Sequence, residues 1–362
     1  RSNMQRVIVG ISGGVDSSVA AYLLKEQGYD VIGVFMKNWE ETDENGICPA
    51  EEDYADAKSV CLKLGIPFYS VNFSKEYWDN VFTYFLDEYA KGRTPNPDVL
   101  CNSEIKFKAF LNYAKKTFGA DLIATGHYAR NSIDNGTIRL YKGIDPKKDQ
   151  SYFLSFLQPN QIASALFPLG GMYKPQVREI AQKLNLRTAE KKDSMGICFI
   201  GERNFTRFLQ SYLPAQKGDM IDLDTMKKVG EHDGLMYYTI GQRRGLRIGN
   251  QGEGDRWYVC DKDMKNNILY VVQGSENPLL FCRGFVSTSV NFISELQTDQ
   301  FECTVKYRYQ QTEKKCMLKK TPDGCEVYFT QPQSGVAPGQ VGVFYSGEEC
   351  LGGAIIDYAL KP

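Results

Sequence analysis

No stretch of this 362-residue chain approaches the roughly 18 uninterrupted apolar residues of a membrane-spanning helix, so no membrane association is expected. A dominant charge is missing as well. The 43 lysines and arginines meet 44 aspartates and glutamates, leaving a formal charge of −1. That balance excludes a generally basic nucleic-acid binder, and a polyanionic partner would have to be held by local basic patches. Ten cysteines are present, but none form a C-x-x-C pair; the closest two are Cys316 and Cys325. The usual zinc spacing is thereby excluded. With no secretory pattern before the first strand, the cysteines read as reduced thiols of a cytoplasmic protein, most of them small core residues. There is no internal repeat and no low-complexity tract.

What is present can fill ordinary cores, with 42% hydrophobic and 12% aromatic residues, and the length implies two or three domains. The most informative stretch lies near the start. Val7, Ile8 and Val9 read as a buried strand, which Gly13 and Gly14 break; Val19, Ala20, Leu23 and Leu24 then recur at helical spacing up to a stop at Gly28. A strand, a glycine turn and a helix N-terminus together form an anion site, because unpaired amides and the positive end of the helix dipole point into the turn. No lysine follows the turn as in a Walker loop, and the Rossmann G-x-G-x-x-G is absent there. The stretch Ser12-Gly13-Gly14-Val15-Asp16-Ser17 instead resembles the pyrophosphate loop of the ATP pyrophosphatase (PP-loop) superfamily. In that reading Asp16 is a ligand for Mg²⁺.

Further along, Val31 to Met36, Pro67 to Val71 and Asp121 to His127 read as strands, the last ending in Gly126 and His127, and Tyr54 to Leu64 and about Lys75 to Tyr89 as helices. This alternation predicts an α/β fold with a parallel sheet whose ligands lie beyond the strand C-termini, near Met36. Lys37 to Glu52 reads as a polar loop. In Gly92 to Asn102 two prolines stiffen a loop, and Asn102 or Ser103 is expected to cap a following helix. That would put Cys101 at a helix N-terminus near Lys106, a setting that favours thiolate; a core role for Cys101 and a turn role for Asp98 stay open. The charged runs Asp145–Tyr152 and Arg187–Asp193 read as solvated loops. Beyond about Glu202 a small mixed domain is expected. After about Gly274 the chain reads as all-β, with Phe301 to Tyr309 alternating and a hairpin signal at Asp323-Gly324. The predicted division is 4–201, 202–274 and 275–362, the last a small β-barrel.

Three stretches combine into a more specific likeness. The PP-loop, Asn96-Pro97-Asp98-Val99-Leu100-Cys101-Asn102 and Gly196-Ile197-Cys198-Phe199-Ile200-Gly201-Glu202-Arg203 occur in this order, and the whole chain resembles the tRNA 2-thiouridylases (MnmA/TrmU family). The resemblance implies ATP-dependent replacement of the C2 oxygen of the wobble uridine by sulfur, with Mg²⁺. Gly10, Ile11, Ser12, Gly13, Gly14, Val15, Asp16 and Ser17 would hold the triphosphate, and Met36 and Gly126 the adenosine. Cys198 would carry a persulfide, Cys101 would be the second catalytic thiol, and Asp98 the general acid/base; the two cysteines would end as a disulfide. Asn96, Pro97 and Asp98 would meet the target base. His127, Lys148, Asp149, Gln150, Arg308, Tyr309 and Gln340 match tRNA-contacting positions. The implied partners are tRNA isoacceptors for Lys, Glu and Gln and a persulfide donor such as a cysteine desulfurase or sulfur relay protein. Two rivals are weighed. Another PP-loop ligase would need no cysteine pair, and an amidotransferase would need a glutaminase that is not evident here. A catalytically idle tRNA-binding protein would need neither the loop nor both thiols.

Overall fold

The computed structural model describes residues 4–39, 49–193, 205–249 and 254–362. Strands β1 (Arg6–Gly10), β2 (Asp30–Lys37), β3 (Phe68–Asn72) and β4 (Leu122–Ala124), with the short strand Ala165–Leu166, form a five-stranded parallel sheet in the order β3-β2-β1-β4 and then 165–166. The β-branched run of β1 is fully buried because both faces are covered, as in parallel sheets generally. Ile8 packs on one side with Tyr77, Phe82, Cys101, Phe107 and Phe110. Val7 and Val9 pack on the other with helices α1 (Val15–Glu26) and α2 (Pro49–Leu64). From β1 the chain crosses to β2 on one side and later to β4 on the other. The crevice beyond the C-termini of β1 and β4 is therefore a topological switch point.

Some expectations need correction. The polar loop read over Lys37 to Glu52 is already helical from Pro49, since proline is well suited to a first helical position. The aromatic helix expected from Lys75 starts at Ser74 and passes through a π-segment, Trp78–Phe82, before Thr83–Ala90.

The middle of the chain forms a separate four-stranded sheet, in the order Trp257–Asp263, Ile268–Gln273, Gly218–Asp222, Lys228–His232. The C-terminal part is a large antiparallel sheet with the hairpin at Asp323-Gly324 in its expected place, between Lys314–Lys320 and Cys325–Ser334. The strand read from Phe301 ends at Lys306, so Tyr307, Arg308 and Tyr309 lie past it and not within it. A hairpin from the first part of the chain, Ala129–Asp134 with Thr137–Lys142, extends this sheet by pairing Leu140 with Cys350 and Tyr141 with Glu349.

The segment before Asn96 is clamped from two sides. Thr94 N–H donates to the Pro338 carbonyl at 2.8 Å, and the Thr94 and Thr239 hydroxyls lie 2.8 Å apart. Gly339 at φ +92° permits this approach: a Cβ there would lie 2.9 Å from Thr94 N.

Candidate active site

The turn after β1 is built by its own hydroxyls. Ser12 N–H donates to Ser17 Oγ at 3.0 Å, Gly14 N–H to Ser12 Oγ at 3.3 Å, and Ser18 Oγ to the Gly14 carbonyl at 2.6 Å. Ser18 Oγ also meets Thr188 Oγ1 at 3.0 Å. Helix α1 starts after Gly14 with no side-chain cap, so its first amides keep their hydrogen-bonding capacity for an anion. Gly13 is required twice over, by φ +87° and because a Cβ would lie 2.6 Å from the Asp53 carbonyl oxygen. Gly126 closes the other wall: its Cβ would stand 2.7 Å from Ser17 N. Met36 lies over Gly10, its Cε 3.2 Å from where a Cβ would be, while Val15 and Ile11 are buried in the cluster on the other side of the sheet.

Around this turn lies a charge network that the two supposedly solvated runs supply. Asp16 Oδ1 accepts from Tyr128 Oη at 2.7 Å and from Lys174 Nζ at 2.6 Å. Lys174, only 6% exposed, also reaches Asp193 Oδ1 at 2.6 Å, while Lys148 holds Asp193 Oδ2 at 2.9 Å. Burial pushes the Asp193 carboxyl up, but its bonds to Lys174 and Lys148 outweigh this and hold it below its ordinary value. Lys191 donates to the Gly13 carbonyl at 3.0 Å, Asp53 at 2.7 Å and Asp56 at 2.8 Å. Burial lowers the Lys191 ammonium, and the two carboxylates more than reverse it.

Both runs are thus corrected: they are folded onto the loop because buried carboxylates need donors. Asp145 and Asp149 are buried. Asp149 Oδ1 accepts from the amides of Gly143 and Ser151, and Gln150 Oε1 accepts from Tyr128 N–H.

The expected cap at Asn102 or Ser103 is also corrected. Asn96 is the cap, its Oδ1 accepting from Asp98 N–H at 3.1 Å and Val99 N–H at 3.2 Å, with Pro97 at the first helical position. Cys101 is therefore a turn into the helix Pro97–Cys101 and fully buried, while Asp98 stays half-buried in its first turn. The chain continues as a π-segment, Asn102–Ala109, and then Phe110–Phe118. This continuous helix bridges to the crevice. Phe110 Cε1 lies 3.6 Å from a Cβ built on Gly10, and the Phe107 ring is 5.9 Å from His127. His127 is buried, with Nδ1 2.6 Å from Thr125 Oγ1, and burial followed by Lys106 holds its pKa well below the ordinary value. Here it is a neutral imidazole.

Arg308 is exposed but turns inward, one nitrogen donating to the Ile240 carbonyl at 3.1 Å and the Gly335 carbonyl at 3.0 Å. Tyr309 packs on Phe153 at 4.4 Å, and the Gln340 carbonyl accepts from Ile356 N–H at 2.8 Å. Cys198, with Gly196 and Gly201, lies outside the described residues. Of the described cysteines all but Cys303 are buried, and burial pushes Cys61, Cys260, Cys325 and Cys350 up to about 12, which makes them inert core thiols. Among the described residues no cluster of three or more His, Cys, Asp or Glu is fit to hold a metal, and no helix is long and apolar enough to cross a membrane. The sequence reading missed Tyr128, Lys174, Lys191, Asp193 and Asn38. Asn38 ends 2% exposed just past β2 with neither amide atom bonded. Its position after a parallel strand was the available signal.

The chain matches the families described as tRNA methyl transferase HUP domain over 5–202, tRNA methyl transferase PRC-barrel domain over 206–273 and aminomethyltransferase beta-barrel domain over 282–356. Full-length relatives carry a different activity in their names. It is 58% identical to tRNA-specific 2-thiouridylase MnmA 1 of Geobacillus kaustophilus, covering 99% of this chain and 96% of that one. It is 56% identical to tRNA-specific 2-thiouridylase MnmA of Staphylococcus aureus, covering 98% and 96%. Identity at that level over the whole length outweighs the wording of the domain descriptions, and the chain belongs to the MnmA family of tRNA-specific 2-thiouridylases, tRNA sulfurtransferases with a PP-loop domain.

Proposed function

We propose that this protein thiolates the wobble uridine of tRNA at C2, using ATP and a cysteine persulfide and yielding 2-thiouridine, AMP and pyrophosphate. The observation that carries the reading is the uncapped N-terminus of α1 in the switch-point crevice, walled by Gly126 and bridged by the helix that bears Asp98 and Cys101. A uridine carbonyl is a weak electrophile with a poor leaving group, and adenylation of O2 makes AMP the leaving group. The α1 amides and the Ser12 and Ser17 hydroxyls bind the triphosphate. Asp16, at the turn, would hold Mg²⁺, an ion that needs only one or two protein carboxylates and would neutralise charge on the phosphates. Met36 and Gly126 take the adenosine.

In the sulfur steps, the terminal sulfur of the Cys198 persulfide attacks C2 and displaces AMP. Cys101 thiolate then attacks the Cys198 sulfur, which breaks the S–S bond, leaves sulfur on the base and forms a Cys101–Cys198 disulfide. An external thiol reductant resets the pair. Asp98, at the first turn beside Asn96 and Pro97, moves the proton at the base. Lys148, Asp149, Gln150, His127, Arg308, Tyr309 and Gln340 contribute to tRNA contact. Asp149 does so through the backbone it orders, and His127 as a neutral group. The protein works in the cytoplasm on Lys, Glu and Gln isoacceptors, fed by a cysteine desulfurase or sulfur relay protein. The test is nucleoside mass analysis after incubating the protein with unmodified tRNA, ATP, Mg²⁺ and a persulfide donor. Equal amounts of 2-thiouridine and AMP are expected; nitrogen in place of sulfur, or no ATP consumption, would favour the rival readings.

A further inference from the structure

We infer that Lys174 is the phosphate-facing cation of the nucleotide site, parked on Asp16 and Asp193 in the free protein and turned onto the β,γ end of ATP and onto pyrophosphate when these bind. The inference rests on the ATP reading and goes beyond it by naming a residue outside the loop motif. The loop itself brings no lysine, so its positive field comes only from amides and the helix dipole. Two lysines approach it from elsewhere in the chain, and their surroundings differ. Lys191 is used up by the Gly13 carbonyl, Asp53 and Asp56, which makes it a brace for the loop. Lys174 Nζ bonds to two carboxylates and lies 5.7 Å from the centre of the Tyr128 ring, and one of the carboxylates, Asp16, is the side chain at the phosphate turn itself.

The surroundings of Lys174 allow the ammonium to leave without stranding a charge. Asp193 keeps Lys148 on its second oxygen, and Asp16 keeps the Tyr128 hydroxyl. Meanwhile the backbone of Lys174 is fixed. Its N–H donates to Asp145 Oδ2 at 2.9 Å, it is the first residue of the helix Lys174–Lys183, and the preceding Tyr173 and Gln176 close a capping box. A fixed base with a four-carbon stem lets the ammonium pivot between acceptors, and a compact ammonium with three donors suits phosphate oxygens that change position during the reaction. The carboxylate pair thus acts as a holding place for a buried cation that would otherwise lack a counter-charge.

The test is calorimetric binding of ATP, pyrophosphate and AMP to the full-length protein, wild type and Lys174→Met, each with and without Mg²⁺. The expected result is a loss of about ten- to a hundredfold in affinity for ATP and pyrophosphate, the range of one charge-assisted hydrogen bond, with AMP unchanged. A structural role alone would weaken all three ligands together and lower the melting temperature, which would overturn the inference. So would unchanged pyrophosphate binding. If wild type itself bound no ATP, the nucleotide reading would fail first. Should Lys174→Met not fold, Lys174→Arg is compared with Lys174→Gln; the arginine variant is expected to hold pyrophosphate more tightly, and equality between them overturns the inference.

Discussion

His127 is held where a positive charge is costly, buried with Lys106 as an unfavourable neighbour, so its folded pKa lies well below the ordinary 6.5. The unfolded chain therefore takes up a proton as pH falls through 6.5, while the folded chain resists until its own lower pKa. Stability contributed by this group is complete above 6.5 and is lost as pH falls from 6.5 towards the folded pKa, by at most about 1.4 kcal/mol per pH unit. Urea unfolding between pH 8 and 5 checks this. The stability gap between wild type and His127→Gln should narrow as pH falls, and a constant gap would contradict the neutral buried imidazole. The two thiols give a second expectation. Cys198→Ser should still adenylate tRNA but hold no transferable sulfur, and Cys101→Ser should load Cys198 and stall before product release. Peptide mapping of wild type after one turnover without reductant should find the Cys101–Cys198 disulfide, and wild-type thiolation by Cys198→Ser would sink the assignment. The motif marks Cys101 as a candidate site residue, but its surroundings were misread. With Asn96 as cap and Pro97 as first helical residue, the helix starts six or seven residues earlier than a cap at Asn102 or Ser103 would start it, and this turns a helix-end cysteine into a fully buried one.

The strand–turn–helix from Arg6 to Glu26 was readable because every rule it obeys is local: a β-branched run, two glycines and a helical apolar spacing. The π-segment Asn102–Ala109 was not. Part of what satisfies it comes from a distant residue, Gln161, whose amide donates to the Ser103 and Phe107 carbonyls, both at 3.1 Å. The charged runs failed for a related reason, since Lys191 finds Asp53 and Asp56 only after folding. Gly126 makes a tight demand on these elements. A Cβ there would stand 2.7 Å from Ser17 N and 2.8 Å from the Asp16 carbonyl carbon, so the strand end and the start of α1 could not keep their separation. If the displaced amides are the phosphate donors, Gly126→Ala should cut ATP affinity at least about tenfold and should leave the C-terminal sheet folded. Calorimetry with circular dichroism checks both halves; normal ATP affinity would mean that the wall is not part of the site. Asn96→Ala tests the cap, with an expected loss of about 1 kcal/mol in denaturant unfolding.

The three parts of the chain are tied together near the loop that carries Asn96, and this bears on how a polyanion is bound by a chain of formal charge −1. The Ala129–Lys142 hairpin extends the C-terminal sheet, Thr94 bonds to Pro338 and Thr239, and Arg308 spans from Ile240 to Gly335. Arg308 is thus a brace between the middle and C-terminal parts. It is also an exposed cation with two of its three guanidinium nitrogens outside those bonds. If local patches of this kind hold the tRNA, affinity must fall steeply with salt despite the neutral whole, as each phosphate contact releases about one counterion. Arg308→Ala is expected to weaken tRNA binding, to lower the slope of log affinity against log salt by about one, and to leave ATP binding to the free protein unchanged. Filter binding from 50 to 300 mM salt measures the slope, and calorimetry the nucleotide. A reduced affinity with the full wild-type slope would assign Arg308 to bracing alone, and salt-independent binding by wild type would remove the patch explanation altogether.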